Sequence, residues 1–180
     1  LLALPERYSD ESSWAKKNKP DEVKKSQEKI NEVIFYYAKI YHQKAQKTSD
    51  QKLYKLVQNA YIVLLKDKEN DDENIELLQN LSDIYYVNKQ YTEAGDTYKR
   101  IVDQGKEKAI VVEKINNKET RKNIHALASK NMLDAYSKLF TPEFQQLVKQ
   151  EPDFKNPTEL SKNAERFVGG CYAFLKHYSS

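Results

Sequence analysis

The sequence predicts an all-α protein of about six to eight helices. Gly and Pro number only four and five in 180 residues, too few punctuators for the many tight turns of an all-β chain. Lys, Glu, Gln, Leu and Ala, all good helix formers, fill long stretches. Apolar residues recur at spacings of three and four rather than two, the period of an amphipathic helix. The 13 tyrosines suit such a protein, in which rings pack between helices and hydroxyls reach solvent.

Taken in order, residues 1–20 read as an arm or loop, interrupted by Pro5, Ser9, Ser12, Ser13 and Pro20, with Trp14 available to pin it to the body. From Asp21, the recurrence of Val23, Ile30, Val33, Ile34, Tyr37, Ala38 and Tyr41 predicts a helix to about Lys47. Thr48-Ser49-Asp50-Gln51 reads as a capping box opening a second helix, which carries Leu53, Leu56, Val57, Ala60, Leu64 and Leu65. The polar run 67–74 breaks the pattern, with Asn70 and Glu73 placed to cap the next helix. This third helix is expected over about Glu73–Val87, with a short turn at Asn88-Lys89-Gln90 and a fourth helix over about Tyr91–Gln104 stopped by Gly105.

Residues 106–117 hold the β-branched run Ile110-Val111-Val112, but no partner strand is evident, so helix continuing into the fifth helix is expected there. That helix should reach Phe140, and Thr141-Pro142 should start a short sixth, since Pro suits a first helical position. Asn156-Pro157-Thr158-Glu159 predicts the start of a last helix reaching about His177.

Internal periodicity distinguishes a bundle from a stack of repeats. Residues 78–101 read Leu78-x2-Leu81-Ser82-x2-Tyr85, then Ala94-x3-Tyr98-x2-Ile101. Ser82 and Ala94 are small where two helices can cross closely, and Leu81, Tyr85 and Tyr98 would fill the space around that crossing. This pattern, with Asn88-Lys89-Gln90-Tyr91-Thr92-Glu93-Ala94 between its halves, resembles the tetratricopeptide repeat. Partial copies flank it: Ile34-x2-Tyr37-Ala38-x2-Tyr41 with Ala60-x3-Leu64, then Ser129-x2-Met132-Leu133-x2-Tyr136, then Glu165-x2-Val168-Gly169-x2-Tyr172-Ala173. The resemblance implies antiparallel helix pairs stacked as a short right-handed α-solenoid. Its units would be a degenerate repeat at about 28–67, the best repeat at 75–104, a degenerate repeat at about 118–151, and a half repeat or capping helix at 158–178, after the arm 1–20. The half repeat suggests a chain cut from a longer repeat protein, and an end helix able to self-associate.

Composition narrows the function classes. The 30 basic and 27 acidic residues are interleaved, as in Lys24-Lys25 followed by Glu28-Lys29 and Glu32, giving a net charge of +3 and no reason to favour nucleic acid. Lys outnumbers Arg 26 to four, and Arg is the better bidentate reader of phosphate. No apolar run approaches the roughly 18 residues of a membrane span, and Leu1-Leu2-Ala3-Leu4 is too short for a complete signal peptide. Cys171 is alone, so no intrachain disulfide forms and a soluble chain in either cytoplasm or periplasm is compatible. The absence of an initiator Met points to a mature or excised product.

Signals for chemistry are sparse. His42, His125 and His177 lie far apart and form no metal pair at helical spacing. Cys171 beside Gly169-Gly170 suits a small packed filler in a closely packed helix, and no phosphate-cradling Gly pattern occurs. The alternating acids Asp67, Glu69, Asp71 and Glu73 fail as a calcium loop, because Asp72 stands where Gly is required and Leu78 where the bidentate Glu is required. No enzyme activity, metal or cofactor is therefore expected.

In the tetratricopeptide family the first helix of each pair lines a concave groove for a peptide or protein. The resemblance places Glu76, Gln79, Asp83, Tyr86 and Val87 on that face in the best repeat, and Glu32, Phe35, Lys39, His42 and Gln43 in the first. The expected partner-binding set is thus Phe35, Lys39, His42, Glu76, Gln79, Asp83 and Tyr86. Phe35, His42 and Tyr86 would act as anchors, since exposed aromatics carry much interface energy. Gln79 and Asp83 replace the Lys and Asn of that family's carboxylate clamp, which disfavours clamp-type binding of a peptide C-terminus. The alternative is a structural segment of a larger helical-repeat or envelope-associated assembly, stacked through its end helices.

Overall fold

The computed structural model describes residues 4–66, 74–115, 118–149 and 159–178. They are mostly helical, with one two-stranded sheet, so the protein is all-α. The chain divides into two compact units, Leu1–Glu69 and Asn70–Ser180.

The first unit is a helical hairpin with a docked arm. Its long helix α2 (Pro20–Thr48) starts with Pro at the first position and Asp21 and Glu22 in the first turn, where carboxylates suit the helix dipole. It ends at Ser49, which takes the left-handed conformation with φ 53°. Its partner α3 (Gln51–Lys66) is capped differently from the expected box. The Thr48 hydroxyl turns back to donate to the Lys44 carbonyl, 2.9 Å away. Asp50 Oδ1 accepts from the amides of Lys52 and Leu53, at 2.8 and 3.3 Å. Asp50 is thus the cap, because a residue still inside the preceding helix cannot open the next one.

At about 1.5 Å per residue, the 29-residue α2 overhangs the 16-residue α3. The arm packs on α2. Short helix α1 (Leu4–Arg7) and a 3-10 turn at Ala15–Lys17 build it. The Tyr8 and Trp14 rings meet edge to face at 4.9 Å, and the Gln27 amide donates to the Tyr8 carbonyl at 2.9 Å. The Tyr8–Trp14 pair lies within the arm, and Gln27 ties the arm to α2 through the Tyr8 carbonyl. Between α2 and α3 the core comprises Ile34, Ala38 and Ala45 against Tyr54, Val57, Ala60, Tyr61 and Leu64.

The second unit begins with the pair α4 (Ile75–Val87) and α5 (Tyr91–Asp103). Leu81, Ser82, Ala94 and Tyr98 are all buried and Tyr85 is half-buried, in keeping with their spacing. The turn is closed by the amides of Lys89 and Gln90 on the carbonyls of Tyr86 and Tyr85, with Lys89 at φ 59°, a Schellman cap with Lys in place of the usual Gly. Gly105, at φ 83°, follows the end of α5 as expected.

Residues 106–117 were expected to be helical, and the described part of that segment is not. Strands β1 (Ile110–Ile115) and β2 (Lys118–Asn123) form an antiparallel hairpin in which Ile110 pairs with Asn123 and Val112 with Arg121. Ala109, Val111 and Ile124 are buried, and the Ile124 amide bonds the Ala109 carbonyl at 2.9 Å, closing the base. β-branched residues prefer this extended backbone.

Helix α6 (His125–Val148) is one element where a break at Thr141-Pro142 was expected. Pro142 removes one helical hydrogen bond, but packing on α7 (Lys162–Tyr178) holds both sides of it. Phe140 stacks on Phe167 at 5.4 Å and meets Phe144 at 5.6 Å, while Glu143 accepts from Ser161 and Asn163. The expected start signal at 156–158 lies outside the described residues. Described Glu159 and Leu160 are not helical, and α7 is capped by Ser161, whose hydroxyl accepts the Ala164 amide at 3.1 Å. The proposed caps Asn70 and Glu73, and the acidic run 67–73, lie outside the described residues.

Within this unit α5 packs on α4 and α6, and α6 on α7. Tyr136 of α6 sits at the closest approach. Its ring lies between Gly95 of α5 and Gly170 of α7, and its hydroxyl donates to Asp96 Oδ1 at 2.8 Å. Asp96 also takes the Arg166 guanidinium of α7 at 3.3 Å. Burial, then the bond to Asp96, pushes the Tyr136 phenol far above its ordinary value.

Candidate interaction surface

In the first unit one side of α2 stays open and apolar, from its outer face to its edge beside α3. Tyr36 (63% exposed), Tyr37, Ile40, Tyr41 and, on α3, Leu56 (44%) reach solvent. Between the helices runs a groove of about 60 Å³ lined by Ile34, Tyr37, Ala38, Tyr41, Leu56, Val57 and Ala60. Every lining group is apolar or aromatic. Spacing explains it: Ile34, Ala38 and Ala45 form the stripe facing α3, and Tyr37 and Tyr41, three residues on from Ile34 and Ala38, flank that stripe at its edge. Tyr37, Tyr41 and Leu56 were expected on the inner faces and instead form the rim, where a Tyr can keep its ring on apolar neighbours and its hydroxyl in water.

The expected binding residues of α2 fall elsewhere. Phe35 is half-buried, with the Tyr61 ring edge-on at 6.4 Å and the Lys39 ammonium 5.3 Å from its centroid. Half-buried Lys39 thus sits over Phe35, a cation–π arrangement. His42 is not outward-facing: at 6% exposure it belongs to the core. It lies four residues past Ala38 on the stripe facing α3, between the edges of Tyr54 and Tyr61. The Gln46 amide nitrogen, 3.3 Å from Nε2, can only donate, so Nε2 accepts and the neutral ring presents Nδ1–H to the Tyr61 oxygen at 3.4 Å. Burial lowers the His42 pKa below its ordinary value.

In the second unit, Glu76, Gln79, Asp83 and Tyr86 share a stripe of α4 and are half-buried. Two of them tie helices together. Asp83 accepts the Tyr98 hydroxyl of α5 at 2.5 Å, and the Asn131 amide of α6 donates to the same Tyr98 oxygen at 3.3 Å. Burial raises the Asp83 pKa while the bond from Tyr98 opposes the rise. The Tyr86 hydroxyl donates to Asp134 of α6 and its ring meets Tyr91 edge to face at 5.4 Å. The bond to Asp134, then burial, pushes the Tyr86 phenol up to about 12. Tyr86 was expected as a free anchor; its hydroxyl is committed to the helix packing.

A second apolar area lies on α7, where Val168, Tyr172 (71%) and Leu175 are exposed at spacings of four and three. Phe144, Leu147 and Val148 are exposed near the end of α6. The half-buried Cys171 neighbours Gly170, whose added Cβ would lie 3.1 Å from Tyr136, whereas Gly169 faces open space. Close packing therefore holds for one glycine of the pair.

Two of the three histidines have described structural partners. His125 is buried and its Nε2 donates to the Val102 carbonyl at 3.2 Å, while the His177 side chain lies outside the described residues. Among the described residues, no group of three or more His, Cys, Asp and Glu side chains could hold a metal ion. No described helix is long and apolar enough to cross a membrane.

No protein family, curated protein or solved structure shows significant similarity to this chain.

Proposed function

We propose that this protein is a non-catalytic interaction scaffold or adaptor that binds a peptide or protein partner on its helical surface, in the manner of a tetratricopeptide-like domain. The observation that carries this reading is the open apolar side of the α2–α3 pair, with Tyr37, Tyr41 and Leu56 around a groove. Contiguous exposed apolar groups are costly in water, and Tyr is a frequent interface anchor. Phe35, with Lys39 over its ring, lies on the other flank of the α2 stripe from Tyr37. Glu76 and Gln79 would supply polar contacts in the second unit. The test is capture from extract by the immobilised chain, compared with Tyr37→Ser/Leu56→Gln and Phe35→Ala/Tyr86→Ala variants of equal helicity. Loss of specific capture in the first variant is expected; equal capture by all three removes these anchors.

A second reading is stacking in a larger assembly through the end helix, and the exposed Val168, Tyr172 and Leu175 favour it. It predicts concentration-dependent self-association that Tyr172→Ser/Leu175→Gln abolishes in sedimentation equilibrium. A monomer at all concentrations would set it aside.

A further inference from the structure

The charge around the α2–α3 groove is one-sided. From Val33 to Lys66 the chain holds six lysines (Lys39, Lys44, Lys47, Lys52, Lys55 and Lys66) and one carboxylate, Asp50. Asp50 is already engaged, since its Oδ1 accepts two amides at the start of α3. Over the rest of the chain 24 bases meet 26 acids, so the excess belongs to this stretch, which is α3 and the part of α2 nearest the turn. Lys44 follows Tyr41 by three residues on α2, and Lys52 precedes Leu56 by four on α3, so each lies one turn beyond a rim residue and on its face. Because Thr48 and Gln51 flank the hairpin turn, both lysines stand at the turn end of the groove. Lys44, Lys47, Lys52 and Lys55 are exposed, and none makes an ion pair among the described residues.

We propose that the groove docks an acidic amphipathic peptide segment. Its apolar side chains, at helical spacing of three or four, would enter between Tyr37, Tyr41 and Leu56, and its carboxylates would lie over the turn end near Lys44 and Lys52. Apolar contact supplies affinity, and the lysines set orientation and exclude basic competitors. The end helix α7 of a second copy is a poor occupant, because its charges are Lys162, Glu165, Arg166 and Lys176, with bases in excess. A recess between two helices also fits inserted side chains better than a bilayer, which takes protruding apolar groups.

The inference rests on the protein-binding reading above, and the experiment separates the two. A displayed library of 16-residue helical peptides, with random charges around fixed apolar positions, is selected on the full chain. Enriched peptides should carry more Asp and Glu than Lys and Arg, clustered near one end. They should bind at least about tenfold more weakly to Leu56→Gln and to Lys44→Glu/Lys52→Glu, with helicity unchanged by circular dichroism. The charge-reversed variant should instead accept the same peptides with their acids changed to Lys. Enriched peptides that are basic or neutral, or indifferent to both variants, overturn the groove assignment while leaving a protein-binding chain. No enrichment, with vesicles of phosphatidylcholine and phosphatidylglycerol bound in a Leu56-dependent way, overturns both in favour of a membrane surface. No enrichment and no vesicle binding overturns both outright.

Discussion

Gly95→Ala should destabilise the second unit, although replacing Gly inside a helix normally helps by about 1 kcal/mol. A Cβ at Gly95 would lie 2.3 Å from Tyr136 Cε1 and 2.5 Å from Cδ1, well inside the roughly 3.5–4.0 Å of favourable carbon contacts. The ring would have to move by more than about 1 Å to restore that separation. It has little room: a Cβ at Gly170 would stand 3.1 Å from Cδ2 on its other side, and the hydroxyl is held by Asp96 at 2.8 Å. Overpacking costs about 1–3 kcal/mol, and losing a hydrogen bond to a charged acceptor costs about 1.5–3 kcal/mol. Against the propensity gain, the net loss should be about 1.5–5 kcal/mol. Urea unfolding with an unchanged slope measures it. Gly169→Ala is the control: nothing lies within 4 Å of its Cβ, so it should stabilise by about 1 kcal/mol. Tyr136→Ala alone should cost about 3–5 kcal/mol, and adding Gly95→Ala to it should cost nothing further. A neutral or stabilising Gly95→Ala in the parent chain would refute the close α5–α6 crossing at Tyr136.

Asp50→Ala should cost about 1 kcal/mol by removing the α3 cap, whereas Thr48→Ala should change the urea midpoint little. The reverse order would restore the Thr48 capping box. His42, with its pKa held below the ordinary 6.5 by burial, binds a proton more readily in the unfolded chain. Its contribution to stability is therefore full above about pH 6.5 and is lost as pH falls from there through the folded value. The urea midpoint should drop between pH 7.5 and 5, and less so in His42→Gln; equal slopes would place the histidine outside the core. Asp134→Asn should bring the Tyr86 phenol from about 12 back towards its ordinary value, read from ring-carbon chemical shifts against pH. An unmoved titration would dissolve the α4–α6 tie.

Legibility in the sequence followed the strength of local signals. The α4–α5 pair was readable because small residues, aromatics and the Asn88-Lys89-Gln90 turn all point one way. The hairpin at 110–123 was missed because β2 reads Lys-Glu-Thr-Arg-Lys-Asn, with a solvated face and no apolar alternation. Its detectable signal was the β-branched run followed by Asn116-Asn117. Pro142 misled because a helix boundary is only its local preference, and the Phe140–Phe167 stack is a long-range contact that no local rule contains. The repeat resemblance placed His42 outward, yet the 34–38–42 stripe put it inside, where Tyr61 and Gln46 satisfy both ring nitrogens. The same misphasing hid the groove, since Tyr37 and Tyr41 read as core when they form its rim. Once α2 is phased on Ile34, Ala38 and Ala45, the open apolar side is that of Tyr37, Tyr41 and Leu56 rather than that of Phe35 and His42.

Amide hydrogen exchange of the full chain, free and saturated with a selected peptide or captured partner, tests the binding surface most directly. Added protection should concentrate in residues 33–44 and 52–60, on the two helices lining the groove. Protection confined to α4 or α7, with none in those two segments, would contradict the assignment of the α2–α3 groove as the surface that binds.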